Sequence, residues 1–83
     1  MISVNLSRIF GNQIRKLREE RKISQQNLAE MCNFEKTNMA RIEAGRTNPT
    51  LLTMYKISLA LKIPLSELVD FEIKIDDDIE RLS

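Results

Sequence analysis

Eighty-three residues suit one domain and leave no room for a second, and a chain this short buries only about 60% of the surface its unfolded form exposes. Apolar residues make up 42%, with two Gly and two Pro, which allows a small helical core and argues against an all-β fold. The net charge of +1 hides a division, because residues 1–62 carry 11 Lys/Arg and 5 Asp/Glu whereas residues 63–83 carry 2 and 7. A basic body with an acidic tail fits a polyanion-binding face with the tail held away from it. An ordinary solvated surface accounts for the same totals.

The opening stretch MISVNLSRIF is too short and too polar for a signal peptide, and Met1–Val4 reads as a short extension. Asn5 or Ser7 can cap a first helix running to about Arg21, with Leu6, Phe10, Ile14 and Leu17 on its inner face. Gly11 weakens this helix by roughly 1 kcal/mol relative to Ala, so its first turns are expected to be loose. The run from Arg15 to Lys22 alternates in charge and reads as solvated surface. Ser24 then serves as N-cap of a second helix ending near Met31 or Cys32. Leu28 and Cys32 face inward there, and Ala29 is small enough to let another helix cross closely. Cys32 is the one cysteine, so it forms no internal disulfide, and its apolar surroundings make it a core residue rather than a nucleophile.

Asn33 tolerates the left-handed conformation that reverses a chain after a helix, and Phe34 points back into the core. A third helix runs from Glu35 to about Ala44, with Met39 and Ile42 inward and Gly45 just beyond its C-cap. Arg46, Thr47 and Asn48 form a loop, and Pro49 leads into a fourth helix over about Thr50 to Leu61. Leu51, Met54, Ile57, Ser58 and Leu61 make its inward stripe. Leu52, Tyr55 and Leu59 make a second apolar face, which a one-sided surface helix does not need, so these three are assigned to a dimer interface. Pro64 starts a short fifth helix to about Asp70, with Leu65, Leu68 and Val69 inward. In the tail FEIKIDDDIERLS, Phe71, Ile73 and Ile75 alternate as in a strand that would pair across a dimer. The alternative is a docked extension ending in a helical turn at Asp78–Leu82.

The third helix also carries Lys36, Thr37, Asn38 and Arg41, which have no place in a core. A helix that reads DNA presents short polar and basic side chains near its N-terminus, where the positive dipole end meets phosphate. Lys36 and Arg41 can donate to guanine, Asn38 can pair with adenine, and Thr37 can bond a base or touch a thymine methyl. Gln25, Gln26, Arg46, Thr47 and Asn48 flank this face as phosphate donors, and the start of the second helix is itself a place for an anion. An ordinary polar helix surface would account for the four central residues taken alone.

Their context points further. Gln25–Ala44 resembles the 20-residue helix-turn-helix of phage repressors and Cro proteins, the Xre family. The family's apolar positions are filled by Leu28, Cys32, Phe34, Met39 and Ile42, and its small residue is Ala29. Its R-I-E-x-G signature stands as Arg41-Ile42-Glu43-Ala44-Gly45, with Ile14, Leu17 and Arg18 before it and Met54, Ile57 and Leu61 after it. The resemblance covers about Ile14 to Val69. It implies an all-α, five-helix, lambda-repressor-like domain over residues 6–70, with the helix-turn-helix at 25–44 and an acidic tail at 71–83. It further implies a homodimer on double-stranded DNA, and an ion pair from Arg18 to Glu43 that locks the reading unit to the scaffold. Four positions depart from the family: Asn33 replaces the usual Gly, Glu35 replaces a better cap, and Leu52 and Leu59 replace exposed polar residues.

The expected function is a transcriptional regulator acting as a homodimer, with the third helix in the major groove. A second possibility is an antitoxin or interaction module whose tail binds a partner protein. An enzyme is not expected: histidine is absent, no Gly-rich phosphate loop exists, and Asp76-Asp77-Asp78 reads as a solvated run. No cofactor and no metal are expected. No run approaches 18 apolar residues, so no membrane span is expected and a cytoplasmic location is the default.

Overall fold

The computed structural model describes residues 5–73, which form five helices and no strand. They are α1 (Asn5–Glu20), α2 (Gln25–Met31), α3 (Lys36–Glu43), α4 (Leu51–Leu61) and α5 (Leu65–Leu68). The all-α, five-helix expectation therefore holds. The strand suggested for the tail is absent over Phe71–Ile73, and the remainder of that stretch lies outside the described residues.

Two helices start on side-chain caps. The Ser24 hydroxyl accepts from the Asn27 N–H at 3.0 Å, and Thr50 does the same for the Thr53 N–H at 3.1 Å. Each satisfies one N–H that has no partner within its own helix. At the start of α3, Glu35 makes no such bond.

Four helix ends share one device. Lys22, Asn33, Gly45 and Lys62 all have φ between 56° and 73°. The following N–H then returns to a carbonyl five residues back: Ile23 to Arg18 at 3.1 Å, Phe34 to Ala29 at 2.8 Å, Arg46 to Arg41 at 3.0 Å and Ile63 to Ser58 at 3.0 Å. This is the Schellman closure, which usually places an apolar residue after the left-handed one so that it packs back on the helix. Ile23, Phe34 and Ile63 do so, each packed against the core. Arg46 occupies the same place after α3 and is exposed. Asn33 and Gly45 were legible as reversals; Lys22 and Lys62 were not, because lysine carries no local signal for this conformation.

The core is built from Phe10, Ile14 and Leu17 of α1, Leu28 and Ala29 of α2 with Cys32, Met39 and Ile42 of α3, Ile57 and Leu61 of α4, and Leu68 of α5. α3 packs against both α1 and α2. Burial pushes the Cys32 thiol up to about 11, against a smaller lowering by Lys56, so the group is a neutral core side chain at physiological pH. Arg21 ties two helix ends together, donating to the carbonyls of Leu17 at 2.9 Å and Leu61 at 3.1 Å.

Several inward assignments need correction. Leu51 is 67% exposed and lines an open hollow with Leu52, Tyr55 and Leu65 instead of entering the core. Leu6 and Val69 are also exposed; both line an open apolar cleft with Phe10, Pro49, Met54 and Phe71 instead of entering the core. They come from the first turn of α1 and the C-cap of α5, far apart in sequence, and meet at this one cleft. The first turns of α1 are not loosened by Gly11. That glycine is buried at the crossing with α3, and the helix runs unbroken from Asn5.

Candidate nucleic-acid interface

α3 is divided cleanly by burial. Met39 is fully buried and Ile42 nearly so, which pins one face to α1 and α2. Lys36, Thr37, Asn38 and Arg41 are all exposed on the other face. None of the four side chains bonds or pairs with another described residue. Their polar groups are therefore available to a partner, and the scaffold, not a local contact, sets their direction.

The orientation of α3 is locked at its C-terminal end. The Glu43 side chain is wholly buried, yet every oxygen has a donor. Arg18 grips it with two nitrogens on one edge of its guanidinium, Nε donating to Oε2 at 2.8 Å and Nη2 to Oε1 at 2.9 Å. Gln25 Nε2 donates to Oε1 at 3.2 Å, and Arg15 Nε reaches the same oxygen at 3.5 Å. Arg18 also donates to the Ile23 carbonyl at 2.9 Å. A bidentate pair of this kind fixes geometry as well as charge. Hydrogen bonding to Glu43 raises the Arg18 pKa further, opposed by burial and assisted by the charges of Glu43 and Glu19. One carboxylate thus joins α1, the first residue of α2, and α3.

The other assigned residues fall at two edges of this unit. Gln25 is half-buried and holds Glu43 with its amide, which leaves one side-chain N–H and its backbone for a ligand. Gln26 is exposed, with a 3.5 Å contact to Glu30. Arg46 and Asn48 are exposed beyond the end of α3, and Thr47 between them is half-buried. Leu52, Tyr55 and Leu59 are 61%, 49% and 58% exposed on α4. Leu52 and Tyr55 line a shallow hollow with Leu51 and Leu65, whereas Leu59 lines a different one with Met31. Sequence reasoning missed Arg15 and Gln25 as ligands of Glu43. The charge run around Arg15 carried no mark distinguishing it from solvated surface. Among the described residues there is no group of three or more His, Cys, Asp or Glu able to hold a metal, and no helix long and apolar enough to cross a membrane.

The HTH_3 family model, described as helix-turn-helix, matches residues 14–68. The chain belongs to the HTH_3 family. This HTH_3 domain is of the Xre and Cro/CI type, a family of DNA-binding transcription regulators rather than enzymes. It is 42% identical to the control protein C.MunI of a Mycoplasma species over 60 residues, covering 71% of this chain and 81% of that protein. It is 38% identical to the immunity repressor of Bacillus phage phi105 over 68 residues, covering 82% of this chain but 47% of the repressor. The chain therefore spans about half the length of that phage relative. Among solved structures, the restriction-modification controller protein C.AhdI of Aeromonas hydrophila superposes with a TM-score of 0.73 at 31% identity, covering 75% of this HTH_3 chain and 94% of C.AhdI.

Proposed function

We propose that the protein is a sequence-specific transcriptional regulator that binds DNA as a homodimer, with α3 in the major groove. The observation that carries this reading is the exposed, unengaged set Lys36, Thr37, Asn38 and Arg41 on a helix whose opposite face is buried. These side chains match base edges in the groove: Arg41 and Lys36 as donors to guanine, Asn38 to adenine, and Thr37 to a base or a thymine methyl. Gln25, Gln26, Arg46, Thr47 and Asn48 hold the flanking phosphates and set register without reading sequence. Arg46 supports this role, since it stands exposed where the three sister turns place an apolar residue. Selection of binding sites from random DNA, at a stated salt concentration, is the direct test. A two-fold related pair of half-sites separated by about 34 Å, one helical turn, is the expected product.

Within the selected site, Arg41→Ala is expected to cost about 1–3 kcal/mol of specific binding and to relax preference at one base pair. A selected motif identical to that of the wild type would remove Arg41 from base reading.

The homodimer rests on α4. Leu51, Leu52, Tyr55 and Leu59 leave a large apolar surface on an 11-residue helix of a small domain. Leu52→Glu and Leu59→Glu would each place a charge in a buried contact and are expected to shift the protein to monomer in sedimentation velocity runs. Retention of the dimer by both variants would move the interface elsewhere.

A further inference from the structure

α1 carries three arginines on the line that packs against the end of α3. Arg8, Gly11, Arg15 and Arg18 recur at i, i+3, i+7 and i+10, which is one helix face. Contacts place that face. Gly45 lies so close to Arg8 that a Cβ added there would meet the Arg8 Cα at 2.6 Å and its Cβ at 3.1 Å. Gly11 abuts the carbonyls of Ile42 and Glu43, and Arg15 and Arg18 both reach Glu43.

The three arginines then diverge. Arg18 is 11% exposed and engaged by Glu43 and by the Ile23 carbonyl. Arg15 is 47% exposed; its Nε makes one long contact with Glu43, and its terminal nitrogens bond no described residue. Arg8 is exposed and pairs with no carboxylate among the described residues. Glu43 is one charge gripped mainly by Arg18, so Arg15 brings a positive charge that nothing described neutralises. Arg8 leaves the backbone beside the turn that leads into Arg46–Asn48. Arg15 shares a single oxygen of Glu43 with Gln25. The two arginines leave α1 at positions about 10 Å apart along the helix axis, one beside each of the two groups of residues assigned above to phosphate.

We propose that Arg8 and Arg15 form a second row of DNA phosphate contacts on α1, bridging the loop at 46–48 and the start of α2. The row rests on the DNA-binding reading above and extends it to a helix outside the helix-turn-helix. The guanidinium fork suits phosphate oxygens. Glu43 holds the root of the Arg15 fork, which lowers the cost of ordering a long side chain on the ligand. Contacts of this kind strengthen binding to every sequence alike and increase its dependence on salt.

The test uses the full chain and a random-sequence duplex, because phosphate contacts do not need the operator. Fluorescence anisotropy is followed from about 50 to 200 mM salt. Arg8→Gln and Arg15→Gln are each expected to flatten the log–log salt slope by about 0.9 per bound protomer and to weaken binding. Arg15→Lys keeps the charge and is expected to keep the slope. Lys16→Gln removes the same charge from a neighbouring position of α1 and is expected to leave the slope unchanged. Slopes unchanged in both arginine variants would overturn the proposal. So would equal flattening by Lys16→Gln, which would assign the effect to net charge. A melting temperature lowered in Arg15→Gln with an unchanged slope would make Arg15 a structural residue and would also overturn it. Failure of the wild type to bind any duplex is a separate outcome that removes the DNA-binding reading itself.

Discussion

Glu43→Gln is expected to destabilise the fold by about 3–5 kcal/mol, the cost of leaving a buried ionic partner uncompensated. The replacement keeps the shape of the side chain and removes its charge. Arg18, only 11% exposed, would retain its own charge with no counterion. One oxygen of the carboxylate would become an amide nitrogen facing guanidinium or amide donors that need an acceptor. Small domains hold about 5–15 kcal/mol in total, so a loss of this size takes a large share. Urea denaturation checks it through a lowered midpoint at an unchanged m-value. The double replacement Arg18→Met with Glu43→Leu is expected to recover most of the loss, because it removes the desolvated charges together. A loss below about 1 kcal/mol for Glu43→Gln would place the pair among solvated surface bridges.

Gly11→Ala is expected to destabilise by about 3 kcal/mol, the upper end for overpacking a tight contact, although alanine is the better helix former by about 1 kcal/mol. An added Cβ would lie 2.5 Å from the carbonyl oxygens of both Ile42 and Glu43 and 2.8 Å from the Glu43 carbonyl carbon. All three are backbone atoms of α3, so relief requires α1 and α3 to part, which strains the Arg18–Glu43 grip as well. Asn12→Ala, on the exposed neighbour, isolates the propensity effect and is expected to stabilise by a few tenths of a kcal/mol. The pair is read by thermal and urea unfolding. A more stable Gly11→Ala would mean that the two helices do not meet at this point.

These two positions show how far local reading reaches. Gly11 looked like a defect, because helix propensity is a property of one residue in one helix. Its reason for being glycine is a carbonyl 31 and 32 residues away in sequence. Arg15 looked like surface for the same reason: in a run of alternating charges nothing marks the one that faces a buried carboxylate. Leu6, Leu51 and Val69 have the correct periodicity but lie at helix ends, and periodicity gives direction without saying how far a neighbour extends. Leu59 joins Leu52 and Tyr55 on one stripe of α4, yet the hollows beside them are lined by different neighbours.

The sequence by itself determined the helices, their order and, away from the helix ends, the faces they turn inward. Periodicity, caps such as Ser24 and the reversals at Asn33 and Gly45 act within a few residues, so they are written locally. It also determined the family, since the R-I-E-x-G signature and the apolar pattern around it are themselves sequence. The family resemblance already implied the Arg18–Glu43 pair, and only the tertiary structure decided that Arg15 and Gln25 join it around a buried carboxylate. Glu43 is charged, and local rules place it on a surface; it is buried because Arg15, Arg18 and Gln25 are brought to it from other helices. Burial of a charge is tolerable only with such partners, and partners are a property of the assembled fold. The same assembly aims Lys36, Thr37, Asn38 and Arg41 outward together, turning four ordinary polar residues into a candidate reading surface.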